Sequence, residues 1–366
     1  MSAWFFPVGR GALRSLFFLM ACLFVPVAVA ATPAEPVQVI RIASPDLSAG
    51  PKPFSGTNTV SLTHIRGALE KEFAKDGIKI EWSFFKGAGP AVNEAFANRQ
   101  IDFAYLGDLA SIIGRAGGIS SRLLFAVRGA NTYLGIPPDS TITSLKDIKG
   151  KRVALFRGTA DQLAFGRSLA QAGLSERDVQ IINLDWTAAR AALASHQVDA
   201  AWQGAALLIL RDRGQIKVPL STKRAKNRQV TTQAGLVGSD AFINAHPDLT
   251  QRLINVLVAQ AQWASEPAHR DEFLKLLADQ GSLPLALVQG EFDGDDLRFR
   301  FDPRLDDFIV ASYTDSVATA KSIGLIRRSY DVRAWLEPRF VEQAITAQGS
   351  QRYWPSYDAA GAVGKH

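Results

Sequence analysis

Sulfur is scarce in this chain of 366 residues, which carries one cysteine and two methionines. All three, Met1, Met20 and Cys22, sit in the first 22 positions, so removal of an N-terminal leader would leave no thiol. Such a chain forms no disulfide and has neither a cysteine nucleophile nor a thiolate metal site. The five histidines, His64, His196, His246, His269 and His366, are scattered, with no H-E-x-x-H pair for zinc. Asp293-Gly-Asp295-Asp296 lacks the spacing of a calcium loop and reads as a turn. A Walker A loop and a G-x-S-x-G elbow are both missing. No low-complexity tract or long single-sign charge block argues for disorder. No basic stripe is interleaved with aromatics, and the basic run Lys223-Arg224-Ala-Lys226-Asn-Arg228 reads as a solvated loop, so nucleic acid is not an expected partner. These absences predict a protein that is not an enzyme and uses no metal or cofactor.

The composition, 47% hydrophobic and 21% charged, is that of a globular chain long enough for two domain-sized cores. Its net charge of +6 suits an anionic ligand without demanding one. Residues 1–30 read as a secretory signal. Arg10 and Arg14 supply the positive region, Leu16–Val25 the apolar stretch, and Ala28-Val29-Ala30 a small-x-small cleavage site. The apolar stretch is too short to span a bilayer. Leu19-Met20-Ala21-Cys22 offers a competing lipidation site, but Met20 and the apolar run on to Val29 favour a soluble secreted form.

A β-α-β-α-β pattern then occurs twice. Val37–Ala43, Ile78–Phe84 and Ile101–Leu106 read as strands, with Ile65, Leu69 and Phe73 marking one face of a helix between the first two. Arg152–Phe156, Val179–Leu184 and Val198–Trp202 repeat the series. The octet Gln100-Ile-Asp-Phe-Ala-Tyr-Leu-Gly107 is matched 97 residues later by Gln197-Val-Asp-Ala-Ala-Trp-Gln-Gly204. The predicted fold is α/β with two similarly built lobes, each a mostly parallel sheet covered by helices. Residues 31–130 with 240–345 are assigned to lobe one and 131–239 to lobe two, leaving 346–366 as a C-terminal tail. From about Asp240 the chain reads as mainly helical, over Pro247–Trp263, Arg270–Ala278 and Asp306–Ile323.

Ligands on such sheets bind beyond the carboxyl ends of the strands. The corresponding turns are Ser55-Gly56-Thr57-Asn58, Tyr105-Leu106-Gly107-Asp108, Arg157-Gly158-Thr159-Ala160, Asp185-Trp186-Thr187 and Trp202-Gln203-Gly204. Thr159-x-x-Gln162 has the form of a capping box, so Thr159 either caps its helix or aims its hydroxyl at an anion. Tyr105 and Trp202 end matched strands, as cavity walls or as core. Trp202 is the better placed, since Gln203 and Gly204 follow it. Asp108 suits a helix cap, or a partner for the ammonium of a zwitterion. The candidate ligand residues are therefore Thr57, Asn58, Tyr105, Gly107, Asp108, Gly158, Thr159, Ala160, Trp202 and Gln203.

Three stretches resemble the substrate-binding proteins of nitrate/sulfonate/taurine ABC importers: Ile101–Asp108, Ser144–Ala154 followed by Gly158-Thr159, and Gly324–Arg333. The resemblance implies a type II periplasmic-binding fold whose lobes are joined by two crossing strands. It also implies a ligand near Gly107, Asp108, Gly158, Thr159, Ala160 and Trp202, and delivery of a small anion to an ABC permease and its ATPase. A monomer in the periplasm is expected, with a sulfonate or sulfate ester as ligand, and nitrate or taurine as alternatives. Two departures fall where specificity is set. The family's W-x-x-x-D-P is Trp202-Gln-Gly-Ala-Ala here, and the loop Ser44–Pro53 is unlike the common pattern. A ligand-sensing subunit is a rival reading. A desulfinase-like enzyme is disfavoured by the missing cysteine.

Overall fold

The computed structural model describes residues 1–4, 36–48, 50–225 and 227–364. Of the expected leader only residues 1–4 are described, and its Ala30 cleavage site and Cys22 lie outside the described residues. The described residues from Val37 on form one compact body.

The body is built on two five-stranded sheets with the same internal order. In the first, β1 (Val39–Pro45) lies parallel to β2 (Lys79–Phe85) on one side and β3 (Phe103–Gly107) on the other. In the second, β6 (Arg152–Leu155) is flanked in the same way by β7 (Gln180–Asn183) and β8 (Ala200–Gln203). These are the six strands legible in the sequence. Four more complete the sheets: β4 (Ser121–Ala130), β5 (Tyr133–Ile136), β9 (Lys217–Ser221) and β10 (Thr232–Ser239). The fourth strand of each sheet arrives from the other one and runs antiparallel to its neighbours, β10 between β3 and β4, and β5 between β8 and β9. Each sheet is therefore mixed, and β10, placed in lobe two by the sequence boundary, is hydrogen-bonded into the first sheet. The two crossings are tied together: Thr132 N–H donates to Thr222 Oγ1 at 2.9 Å, and Thr222 N–H returns a bond to Thr132 O at 3.0 Å.

The repeated octet has a structural meaning. Asp102, one residue before β3, accepts bonds from Arg41 N, Nε and Nη2 at 2.9, 3.1 and 2.7 Å. Asp199, its match before β8, accepts from Arg152 N, Nε and Nη2 at 2.8, 3.3 and 2.9 Å. Each aspartate thus clamps the parallel strand beside it, β1 or β6, by one main-chain and two guanidinium bonds.

Ile40, Ile42, Phe103, Phe125 and Leu236 pack against the helix Pro247–Ser265. Leu134, Val153, Leu155 and Trp202 pack with Phe165 and Leu169 of the helix Ala160–Gln171. Full burial of such side chains contributes about 1.5–3 kcal/mol each. The helix predicted through Ile65, Leu69 and Phe73 is broken into Thr59–Ile65 and Ala68–Phe73, because Gly67 takes the left-handed conformation at φ 56°. The expected later helices occur as Pro247–Ser265, Arg270–Gly281 and Asp307–Ser322. The C-terminal segment is packed rather than trailing. Trp354 lies in the first core, and Tyr357 meets Phe299 edge-on with ring centroids 5.0 Å apart.

The two clamps differ in burial: the Asp102 side chain is 9% exposed and that of Asp199 33%. Asp102→Ala is expected to cost about 2–3 kcal/mol and Asp199→Ala about 1 kcal/mol. Urea denaturation of both variants checks the order.

Candidate ligand site

The strands β1, β3, β6 and β8 all end toward one cavity of about 180 Å³. Its walls include residues from seven places. The loop after β1 brings Leu47 and Phe54–Asn58, and the end of β3 brings Tyr105. The crossing after β4 brings Ala130 and Asn131, and the first turn of Ala160–Gln171 brings Ala160 and Asp161. The helix Trp186–Ala194 brings Trp186 and Arg190, and the end of β8 brings Gln203 and Gly204. Glu291, Arg300 and Phe301, from the helical C-terminal part, close the remaining side. Most of the lining is apolar, so the few polar groups decide what fits.

Gln203 is 2% exposed, and both amide atoms, Nε2 and Oε1, have no hydrogen-bond partner among the described residues. An unmet buried amide costs about 1–3 kcal/mol, which a ligand able to bond it recovers. Arg190 is half-buried and gives one bond, 3.2 Å from Nη2 to Thr187 Oγ1. It forms no ion pair among the described residues, and burial lowers its pKa, with Asp185 opposing the effect. Trp186 and Arg190 are four residues apart on one helix face. With Leu47 they also line an outer groove, so these three side chains separate the cavity from it.

The other arginines at the cavity are engaged. Arg128, 1% exposed, donates to Asp302 O at 2.9 Å, Asp306 Oδ2 at 3.1 Å and Arg304 O at 2.8 Å. Arg300 Nη2 donates to Glu291 Oε1 at 3.3 Å, and the same carboxylate accepts from Asn131 N, Asn131 Nδ2 and Tyr133 OH. Glu291 therefore anchors the C-terminal part to the crossing strand.

Five of the ten sequence-derived positions line the cavity: Thr57, Asn58, Tyr105, Ala160 and Gln203. Asn58 is also committed as a helix cap, accepting from Ser61 N at 3.0 Å. Gly107, Asp108, Gly158, Thr159 and Trp202 do not line it. Trp202 is 2% exposed and packs on Phe165, with ring centroids 5.3 Å apart, so it is core and Tyr105 is the aromatic wall. Thr159 occupies the N-cap position, but its hydroxyl donates back to Phe156 O at 2.7 Å. Gln162 Oε1 accepts from Gly158 N–H at 2.9 Å instead of Thr159 N–H, so the expected capping box does not form. Gly158, at φ 75°, turns toward Pro90. Gly107 has a packing role: a Cβ there would stand 2.9 Å from Ala160 Cβ, across the two sheets.

Asp108 is the first residue of its helix, Gly107 being the N-cap, and it does not line the cavity. It is fully buried, 3.6 Å from Arg167 Nη1, and accepts bonds from Leu109 N–H at 2.8 Å and Ser316 Oγ at 3.1 Å. Arg167 continues to Asp315 at 2.7 Å. This chain of charges joins helices following both sheets and the helix Asp307–Ser322. Burial pushes Asp108 up to about 6, with Arg167 opposing. Asp161 is likewise pushed up to about 6 by burial, opposed by the bond that Trp186 Nε1 donates to Oδ2 at 2.8 Å.

Two like sheets with a cavity at their carboxyl ends form the fold of periplasmic binding proteins. The chain spans 89% of its length on the structure of SsuA from Methylobacillus flagellatus KT, a periplasmic sulfonate-binding protein of a sulfonate ABC transporter. That match covers 99% of the SsuA chain at TM-score 0.77 and 32% identity. This chain belongs to the NMT1/THI5-like family, which it matches over residues 67–269. A Bacillus subtilis (strain 168) protein named as an aliphatic sulfonates-binding protein is 26% identical over 78% of this chain and 84% of its own length. The desulfurization enzyme DszB shares the fold alone, at 17% identity over 85% of this chain and 99% of its own, with TM-score 0.64. Among the described residues no helix is long and apolar enough to cross a membrane, and no cluster of His, Cys, Asp or Glu could hold a metal.

The raised Asp161 carboxyl fixes the sign of a pH effect. Its folded value of about 6 lies above the ordinary 3.8, so the folded state holds that proton more tightly than the unfolded chain. The stabilisation is fully present below about pH 4 and is lost as pH rises through about 6. Asp161→Asn should therefore gain on the wild type by about 2–3 kcal/mol between pH 4 and pH 7.5. Urea titrations of both proteins at the two pH values measure that difference.

Proposed function

We propose that this chain is the exported solute-binding protein of an ABC importer, and that its cavity takes an organic sulfonate or sulfate ester for delivery to a membrane permease and its ATPase. The observation that carries the reading is Arg190, a guanidinium that makes no ion pair among the described residues, at the edge of an otherwise mainly apolar cavity. A fixed, partly desolvated cation suits an oxyanion head, while Tyr105, Trp186 and Phe54 suit an organic body. The sulfonate-binding names carried by the relatives support the same ligand class. Binding without turnover is supported by the position of the sole cysteine, Cys22, within the proposed leader. The protein acts as a monomer in this reading.

Calorimetric titration across alkanesulfonates, alkyl sulfates and nitrate tests it. Saturable binding of the organic anions, recovered unchanged afterwards, is the expected result, and failure of all of them to bind rejects it. Arg190→Gln should weaken binding about ten- to a hundredfold. Thr159→Ala, whose hydroxyl serves Phe156 O, should leave affinity within about twofold while lowering stability by about 1 kcal/mol.

Export with cleavage after Ala30 predicts that the protein purified from its native envelope begins at Ala31. N-terminal sequencing that finds Met1 or an acylated Cys22 rejects that form.

A further inference from the structure

Five acidic side chains of the described residues are buried: Asp102, Asp108, Asp161, Glu291 and Asp302. Four of them face an arginine. Asp102 pairs with Arg41 at 2.7 Å, Asp108 with Arg167 at 3.6 Å, Glu291 with Arg300 at 3.3 Å, and Asp302 with Arg304 at 2.7 Å. Asp161 has no lysine or arginine partner among the described residues, and its one side-chain bond comes from a neutral indole, Trp186 Nε1. A buried carboxylate that lacks both water and a countercharge is costly, and the rest of this fold avoids that arrangement.

Asp161 is also placed where a ligand can supply what is missing. Its carboxylate lines the cavity, as do Trp186, which holds it, and Arg190, one turn further along the same helix. The cavity thus presents one acid and one base, each without an ionic partner among the described residues. Beside them lies Gln203, whose amide nitrogen and oxygen are both unbonded among those residues. A simple monoanion satisfies Arg190 and leaves Asp161 facing a second negative charge. A ligand with an anionic head and a protonated amine satisfies both.

We propose that Asp161 is a specificity-determining residue that selects, among anions admitted to the cavity, those carrying an ammonium group. This rests on the sulfonate reading above and narrows it to zwitterions. Asp161 accepts from the ligand ammonium, Arg190 donates to the oxyanion, and Trp186 holds the carboxylate in position. Asp108, which the sequence offered for the ammonium, is excluded by its burial outside the cavity and its pairing with Arg167.

The test compares two probes of one length, propane-1-sulfonate and 3-aminopropane-1-sulfonate, by calorimetry against the full chain and against Asp161→Asn. The intact chain should bind the amino compound at least about tenfold more tightly, the size of one charge-assisted bond. Asp161→Asn should erase that preference and bind propane-1-sulfonate more tightly than the intact chain does, because the like charge facing it is gone. Equal affinities for the two probes in the intact chain overturn the inference and leave the sulfonate reading standing. So does an undiminished preference in the variant. Binding of neither probe overturns the sulfonate reading, and this inference with it. The comparison in the intact chain decides the matter even where the variant folds poorly.

Discussion

At Gly107 the end of β3 meets the first turn of the helix Ala160–Gln171 so closely that even a methyl group would collide with Ala160. That contact, made between elements following the two sheets, sets how the cavity is enclosed. It puts Tyr105, two residues back on β3, and Asp161, one residue on from Ala160, on walls of the same space. Behind it, a line from buried Asp108 through Arg167 to buried Ser316 and to Asp315 at the surface holds the two helices and a third in register. Such a line adds little net stability once desolvation is counted, but its geometry admits few alternative alignments. The position of the cavity follows from this packing more than from the sheets themselves.

The charges around the cavity separate into two kinds. Arg128 and the Arg300–Glu291 pair are held by neighbours and fix the shape, Glu291 by tying the C-terminal helices to the crossing at Asn131 and Tyr133. Arg190 and Asp161 have no such ionic partners among the described residues. The loop Ser44–Pro53, whose sequence departs from the family pattern, contributes Pro45 and Leu47 to the wall. The altered residues after Trp202 contribute Gln203 and Gly204. Both departures from the resemblance therefore fall on the cavity itself.

The two β-α-β-α-β series were readable because each repeats a local pattern, and the matched aspartates Asp102 and Asp199 explain why the octets share it. The strands that complete the sheets, β4, β5, β9 and β10, repeat nothing locally. Their pairing is decided by partners more than a hundred residues away in the case of β10 and β3, so periodicity had no hold on them. At the site, the strand-end rule found Gln203, Tyr105, Thr57, Asn58 and Ala160, since it depends only on where strands stop. It failed at Trp202 and Thr159 for a different reason. Alternation cannot tell which face of a short buried strand is core, and a threonine hydroxyl has a nearby carbonyl, that of Phe156, to satisfy first. Arg190 sat unnoticed in an alanine-rich helix. The signal was its spacing of four from Trp186, already named in a strand-end turn.

The sheet order also bears on how the chain is assembled. The second sheet is drawn from one continuous stretch, Tyr133 to Ser221, and has all its strands once that stretch exists. The first sheet does not, because β10 lies between β3 and β4 and is the last strand in the chain. Until residue 239 is available, β3 and β4 each hold an unpaired edge, and the hydrophobic face that later meets Pro247–Ser265 has no cover. High contact order of this kind slows folding and lengthens the life of sticky intermediates. The lobe that begins the sequence is thus the lobe that must finish last.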